Sequence, residues 1–401
     1  MKVLIADKFQ PSGIDRLKAE GFDVFYKPDA GAEGIPGAVA ELNPDVLVVR
    51  GTKVKAAVFE KGQRLSLVIR AGAGVDTIDM AAASARAVLV ANCPGKNAIA
   101  VAELTWGLIL ACDRRVVDQT IELRAGKWNK KEYSKARGLY GRTLGVIGVG
   151  QIGEEVIRRG RIFGMDIIAW SRSLTEERAQ ELGVVHAPNP VYVARHADVV
   201  TLHVSANADT KRMVNEEFCA ALRPGAIFIN TTRGSVVDEQ ALLKAINEKK
   251  LRCGLDVFEG EPASDGEFRS ALASHPNVIG THHIGASTDQ AQDAIAEETV
   301  RIIEEYRRTG VAPNVVNRCE KSPATRMLVV RHLNRPGVLA HVIGALGRAN
   351  INIEEMENVI YQGAEAACAR IRLDSEPGSD VMAAIAGGSA HILSVDLTRI
   401  D

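Results

Sequence analysis

The sequence predicts an α/β protein with two parallel, doubly wound sheets followed by a small α+β domain, and three observations lead there. Short apolar runs alternate with helix-length polar stretches over the first 280 residues, the rhythm of βαβ units. The chain holds 36 glycines and 46% apolar but only 4% aromatic residues, which suits many tight strand-to-helix turns rather than an aromatic-rich sandwich. At 401 residues it is also too long for one ordinary core, so two or three domains are expected.

In chain order, Val3–Ala6, Asp23–Tyr26, Val46–Val49, Leu67–Ala71 and Val88–Ala91 read as strands of a first, flavodoxin-like lobe. A long helical pattern runs from Asn97 to about Arg124, on Ala100, Leu104, Leu108 and Ala111, and a polar break follows at Gly126–Lys131. The second series is Leu144–Gly148, Ile167–Trp170, Val199–Val204, Ile227–Asn230, Leu255–Val257 and Val278–Gly280, six strands with helical crossovers in the manner of a Rossmann-type sheet. A helix from Ala291 to about Arg307 returns toward the first lobe. Thr309–Pro313 and Lys321-Ser322-Pro323 read as linker. The remainder, Met327–Arg331, Gly337–Arg348, Ile351–Asn358, Ala366–Leu373, Ser379–Ala386 and Leu393–Arg399, reads β-α-β-β-α-β, a ferredoxin-like order.

Forty-nine basic against fifty acidic residues give a net charge of -1, which argues against nucleic acid or an anionic membrane surface as partner. No segment approaches the roughly 20 apolar residues of a membrane span, and the N-terminal run Met1–Asp7 lacks a cleavage pattern, so the cytoplasm is the expected location. The six cysteines are scattered, with no metal-ligand spacing; they read as reduced thiols, and no metal is expected.

Gly148-Val149-Gly150-Gln151-Ile152-Gly153 is G-x-G-x-x-G directly after an apolar strand and at the start of a helix. The first glycine permits the tight turn, the second lets backbone approach a pyrophosphate, and the third allows close helix-to-strand packing; the helix N-terminus supplies amide donors. About 20 residues on, where a carboxylate would grip the ribose hydroxyls of NAD, the strand ends in Ser171-Arg172-Ser173. That pair suits a 2′-phosphate, or the arginine stacks on adenine, and the choice between NAD and NADP stays open. Three further islands, Asn230–Glu239, Gly254–Pro262 and Thr281–Thr288, lie at C-terminal strand ends, where open α/β sheets bind ligands. Together they supply a cation for a carboxylate, an acid/base and a carboxylate beside it, which is what oxidation of a 2-hydroxy acid requires.

Over residues 1 to 320 these islands resemble, in order, the D-isomer-specific 2-hydroxyacid dehydrogenases. The resemblance implies that Arg233 binds the substrate carboxylate and carbonyl oxygen, that His283 is the general acid/base, and that Glu261 is its partner; the adjacent His282 stands where proline is usual. Thr232 and Asp256 join Gly148, Gly150, Gln151, Ile152, Gly153, Ser171 and Arg172 as expected coenzyme contacts. Val48–Lys53 and Arg70–Asp76 are similar to the family's phosphoglycerate dehydrogenases, which implies a small phosphorylated hydroxy acid as substrate. Amides near Gly74 and Val75 would then hold its carboxylate, Arg50, Arg70 and Asn97 would approach it, and Lys130 would come from a neighbouring subunit of a homodimer or homotetramer. Gly51 and His203-Val204-Ser205 depart from the usual serine and H-x-P.

The resemblance divides the chain into a substrate-binding domain of residues 1–96 and 285–320, a dinucleotide-binding domain of 97–284, and a third domain of 325–401. In the last, His332-Leu333-Asn334-Arg335-Pro336-Gly337 at a strand-to-helix turn and Asn350–Ile353 at the next strand resemble an ACT regulatory domain. This implies L-serine as effector through His332, Asn334 and Asn352; a dimerisation module without ligand is the alternative. The implied reaction is oxidation of 3-phospho-D-glycerate to 3-phosphohydroxypyruvate, the entry to serine. Its rivals are a glyoxylate or hydroxypyruvate reductase, suggested by Ser171-Arg172, a dinucleotide-sensing corepressor on the same fold, and an ACT-gated binding protein without turnover.

Overall fold

The computed structural model describes residues 1–262, 266–319 and 322–400, so Lys321 of the expected linker lies outside the described residues. The chain divides into two compact units, Met1–Asn317 and Arg318–Asp401.

The first unit holds two parallel sheets. Strands β1 (Lys2–Ile5), β2 (Asp23–Tyr26), β3 (Val46–Val49), β4 (Leu67–Arg70) and β5 (Leu89–Asn92) form a five-stranded sheet in the flavodoxin-like order β2-β1-β3-β4-β5. Its strands are apolar on both sides because helices cover both faces. Val3, Ile5, Val46, Val48, Leu67 and Ile69 pack with Ile295, Val300 and Ile303 of the helix Asp289–Thr309. Leu4, Leu47, Val49 and Val68 point the other way, against Ile35, Val39, Val58 and Phe59. The long helix therefore closes this sheet from a point about 200 residues later in the chain.

Strands β6 (Thr143–Ile147), β7 (Asp166–Trp170), β8 (Val185–His186), β9 (Val199–Leu202), β10 (Ile227–Asn230), β11 (Arg252–Leu255) and β12 (Val278–Gly280) form the second sheet, ordered β12-β11-β10-β9-β6-β7-β8. The direction of winding reverses between β6 and β9, which opens a crevice at their C-terminal ends. Seven strands stand where six were expected, since β8 is a two-residue edge strand, and β11 begins at Arg252 rather than Leu255. Trp106, Ile109 and Val156 cover one face with Leu144, Val146 and Ile167; Val193, Phe218 and Ile246 cover the other with Ile168, Val200 and Phe228.

The helical stretch after Asn97 is two helices, Ala98–Arg114 and Val116–Arg124, because Arg115 takes a left-handed conformation (φ 54°) between them. The polar stretch beyond contains a one-turn helix, Lys130–Tyr133. No helix among the described residues is long and apolar enough to cross a membrane.

The second unit places β13 (Arg326–Leu333), β14 (Ile353–Ile360), β15 (Ala366–Leu373) and β16 (Ile392–Arg399) in an antiparallel sheet ordered β14-β15-β13-β16, the ferredoxin-like arrangement. Leu328, Val330, Ala369 and Ile371 meet Val342, Leu346 and Ile385 of its two helices in a separate core.

Candidate active site

The crevice at the β6/β9 switch fits a dinucleotide. Gly148 has φ 98°, and a Cβ there would stand 2.5 Å from the His203 carbonyl, so only glycine lets the β6 turn pass the end of β9. A Cβ on Gly153 would strike the Gly148 carbonyl oxygen, whereas Gly150 has open space at its α-carbon. The helix Gln151–Ile162 opens immediately afterwards, with Gln151 and Ile152 in its first turn and the Gln151 amide over Gly95. Bare backbone at a helix N-terminus is the cradle a pyrophosphate needs. Beside it, the Nδ1 of His203 is buried without a partner; Nε2 shares a 3.0 Å hydrogen bond with the Thr201 hydroxyl, and burial pushes the imidazole down to about 3, so the ring is neutral.

At the end of β7, Arg172 is exposed and pairs with Asp209 at 3.3 Å. The strand tip thus lacks a carboxylate of its own but borrows one from the loop after β9. On the other side of the crevice Thr232 donates its amide (3.0 Å) and hydroxyl (2.7 Å) to the Asn230 side-chain oxygen, which fixes the turn after β10 and aims Arg233.

The two residues expected to form the proton-transfer pair come from two loops and meet. His283 Nδ1 is hydrogen-bonded to Glu261 Oε1, and Glu261 Oε2 accepts from the Phe258 amide at 3.2 Å. His282 is exposed and makes no hydrogen bond or ion pair among the described residues. Burial raises the Glu261 carboxyl, but its hydrogen bond to His283, the charges of His283 and Arg233, and the Phe258 amide together hold it below the usual range. It is therefore an anion at neutral pH.

Asp256, expected as a coenzyme contact, also supports the turn after β12. It is 1% exposed; Oδ1 accepts from the Ile284 amide (2.9 Å) and the Thr281 hydroxyl (2.6 Å), Oδ2 accepts from the Gly285 amide (2.9 Å), and its carbonyl accepts from the His283 amide (2.9 Å). These four bonds hold His283 at φ 53°, a left-handed conformation that a side-chain-bearing residue rarely takes unaided. The carboxylate thus braces the turn that carries His283.

From the five-stranded sheet, the turns after β3 and β4 bring cations to the same place. Asp7 accepts from the amides of Arg50, Gly51 and Thr52 and so shapes the first turn, from which Arg50 reaches Ser287 at 3.4 Å. The Arg70 guanidinium lies over Gly72, and its Nε is buried with no partner. Burial, then the charge of Arg233, then that of Arg50, push Arg70 down to about 10 against the opposing pull of Asp76. Gly74 and Val75 stand in the same turn, where a Cβ on Gly74 would collide with Arg233 Nη2. The side-chain oxygen of Asn97, at the start of the helix Ala98–Arg114, is likewise buried and unpartnered. An arginine repelled by two other guanidiniums, with an orphaned Nε, makes a site that an anion would relieve. Lys130, expected to act in a neighbouring subunit, is exposed on the helix Lys130–Tyr133, and among the described residues its side chain makes no ion pair or hydrogen bond.

Sequence reasoning missed Asp76, whose carboxylate meets Arg233 at 3.0 Å, and Ser287 beside Arg50. Both lie inside islands read from the sequence, Arg70–Asp76 and Thr281–Thr288, but nothing along the chain singles them out from their neighbours.

In the C-terminal unit His332 is not a surface residue. It is 2% exposed, with Nδ1 on the Leu333 carbonyl (2.9 Å) and Nε2 on Asn358 Oδ1 (3.2 Å), because it lies on the face of β13 that also carries the buried Leu328 and Val330. Asn334 donates to the Ala364 carbonyl at one end of β15, whereas Asn352 sits beside Asp374 at the other. The eight residues of β15 separate them by roughly 24 Å at about 3.4 Å per residue.

The family model for the D-isomer specific 2-hydroxyacid dehydrogenase NAD binding domain matches residues 106–285. The D-3-phosphoglycerate dehydrogenase of Methanocaldococcus jannaschii is 38% identical over 375 residues, 93% of this chain and 67% of that one. The chain belongs to the D-isomer-specific 2-hydroxyacid dehydrogenases. A hydroxypyruvate reductase of Thermotoga maritima is 43% identical over 269 residues, 67% of this chain and 85% of that one. Among solved structures, an NADPH-dependent glyoxylate/hydroxypyruvate reductase from Sinorhizobium meliloti, in complex with NADP and malonate, superposes with a TM-score of 0.68 at 30% identity, covering 79% of this chain and 96% of that one. The chain spans about two thirds or less of the curated phosphoglycerate dehydrogenases it matches. As in other members of the family, its coenzyme is a nicotinamide dinucleotide held by the β6–β12 sheet.

Proposed function

We propose that this dehydrogenase oxidises 3-phospho-D-glycerate to 3-phosphohydroxypyruvate, using NAD. The observation that carries the reading is the convergence of Arg50, Arg70 and Arg233, with Arg70 half-starved of partners: a triose phosphate brings a carboxylate and a phosphate, and a site with several cations suits both. Arg233 and the amides near Gly74 and Val75 fix the carboxylate, Arg50, Arg70 and Asn97 face the rest of the acid, and Lys130 of a second copy adds a further cation in a homodimer or homotetramer.

In this reading residues 1–96 and 285–320 bind substrate and residues 97–284 bind coenzyme. His283 takes the hydroxyl proton at Nε2, since Nδ1 is committed to Glu261. Glu261, ionised beside it, stabilises the imidazolium that forms. The bound nicotinamide supplies the acceptor for the hydride leaving C2.

Relatives named hydroxypyruvate reductase support a second reading, reduction of an unphosphorylated 2-oxo acid. The two separate in one assay: specificity constants for phosphohydroxypyruvate, hydroxypyruvate, glyoxylate and 2-oxoglutarate with each coenzyme, in the wild type and in Arg50→Gln. The first reading expects phosphohydroxypyruvate to be preferred and Arg50→Gln to lose most of that preference; a wild type that prefers an unphosphorylated acid overturns it.

The ACT-like unit is proposed to bind L-serine between two copies, because Asn334 and Asn352 lie at opposite ends of one sheet and a single small ligand reaches both only from different chains. Calorimetry with serine tests it; absence of heat reduces the unit to an assembly element.

A further inference from the structure

The Arg233 guanidinium is gripped from the opposite sheet. Its Nη2 donates to Asp76 Oδ1 at 3.0 Å and its Nε to Oδ2 at 3.2 Å, while Nη1 donates to the Thr232 carbonyl at 2.7 Å. Asp76 follows β4 of the five-stranded sheet and Arg233 follows β10 of the seven-stranded one, 157 residues apart. Among the described residues no other ion pair joins residues 1–92 to residues 143–280. Glycine at position 74 lets the guanidinium rest against bare backbone, since a Cβ there would collide with Nη2. An arginine offers five N–H groups, and this pattern leaves one on each Nη without a partner.

We propose that Asp76 is the positioning residue for Arg233: it fixes the guanidinium between the two sheets with one free N–H on each Nη, ready for the substrate carboxylate. A guanidinium on a flexible stem loses rotamer freedom when a ligand orders it, and a side chain ordered beforehand spares that cost and places the acid at the correct angle to the acid/base. The inference rests on the proposed role of Arg233 as carboxylate anchor.

Charge and position make opposite predictions here, which renders the role measurable. Asp76 is a carboxylate that counters the guanidiniums of Arg70 and Arg233, while Asp7 faces Arg50. Replacing Asp76 by Asn raises the local positive charge, so simple electrostatics strengthens the binding of any anion. Loss of orientation instead slows turnover.

The test is Asp76→Asn, Asp76→Glu and Arg233→Lys in the full chain, read by kcat, by inhibition with inorganic sulfate, by coenzyme affinity and by the thermal midpoint. Asp76→Asn is expected to lower kcat about tenfold or more with sulfate inhibition unchanged or stronger and with coenzyme affinity and midpoint held; Asp76→Glu recovers part of the loss. A kcat within about twofold of wild type, a size set against the same tenfold expectation, overturns the proposal. A fall in midpoint and coenzyme affinity in step with kcat also overturns it, by making the pair a structural strut. If Arg233→Lys keeps wild-type kcat and KM, the anchor reading itself fails; if Arg233→Lys is impaired while Asp76→Asn is not, only the positioning role fails.

Discussion

Replacing Asp256 by asparagine distinguishes two uses of one carboxylate. Its oxygens take the Thr281 hydroxyl and the Ile284 amide on one side and the Gly285 amide on the other, all within 2.9 Å, in a place that is 1% exposed. Whichever way an asparagine amide is turned, its NH2 faces at least one of these donors. A buried donor left without an acceptor costs about 1–3 kcal/mol, and at about 2–4 °C per kcal/mol the midpoint falls by several degrees. The same change loosens the turn that holds His283 left-handed, and a displacement of about 1 Å at a reacting group costs roughly 100-fold. Asp256→Asn should therefore lower kcat by about 10- to 100-fold at saturating coenzyme, with the coenzyme dissociation constant, read by fluorescence titration, close to wild type. The opposite pattern, weakened coenzyme binding with kcat preserved at saturation, would return Asp256 to the coenzyme-contact role expected from the sequence and refute the positional one.

His283→Ala should lose a factor of about 100 to 10,000 in turnover while keeping coenzyme affinity, and His282→Ala should be mild; reversed phenotypes would move the acid/base one residue back. Ser171→Asp places a carboxylate at the β7 tip next to the Arg172–Asp209 pair and should disfavour a 2′-phosphate. The ratio of specificity constants for NAD and NADP should rise, and an unchanged ratio would show that this strand end does not set the preference. Glu298, in the helix Asp289–Thr309, is held at about 2: its hydrogen bond to Arg301 outweighs burial, and Asn314 and the charges of Arg301 and Lys96 add to it. Its folded value lies below the unfolded one of about 4.5, so its stabilisation is complete above that pH and disappears as pH falls toward 2. The shift corresponds to at most about 3 kcal/mol, and less once solvent screens the half-exposed Arg301; Glu298→Gln should destabilise at pH 7 and approach wild type as pH falls toward 2 in urea titrations. Parallel pH curves for the two proteins would contradict that assignment.

How far the sequence could be read depends on how local each determinant is. Val46–Val49 and Ile227–Asn230 have the bounds expected of them because a parallel strand covered on both faces needs an unbroken apolar run, which composition shows directly. Val185–His186 escaped because two residues on a sheet edge leave no periodicity. The expected 28-residue helix after Asn97 breaks at Arg115 with neither glycine nor proline to announce it; instead Arg115 is pinned by Asp118 and Glu132 at 3.0 and 2.7 Å, contacts invisible along the chain. Arg252 begins β11 despite its charge because Asp118 takes that charge from a helix elsewhere in the fold. In the site the functional side chains stood out at strand ends, whereas their supports did not: nothing local ties Asp76 to Arg233.

Two carboxylates thus serve this site by different physics, and stability separates them. Asp76 and Arg233 form a half-exposed pair, and such pairs contribute about 0–1 kcal/mol because solvent screens them and ordering two side chains offsets the attraction. Asp256 is buried and meets three donors, so its removal is felt throughout the turn. Asp76→Asn should leave the thermal midpoint in place, and Asp256→Asn should lower it, although each lies one step from the chemistry and each slows turnover. The partly exposed carboxylate holds its arginine with N–H groups left over for a substrate carboxylate, whereas the buried one holds the backbone of the turn around His283. That difference follows from where the fold places them: Asp76 at the rim of one sheet facing the gap, and Asp256 beneath the turn that carries His283.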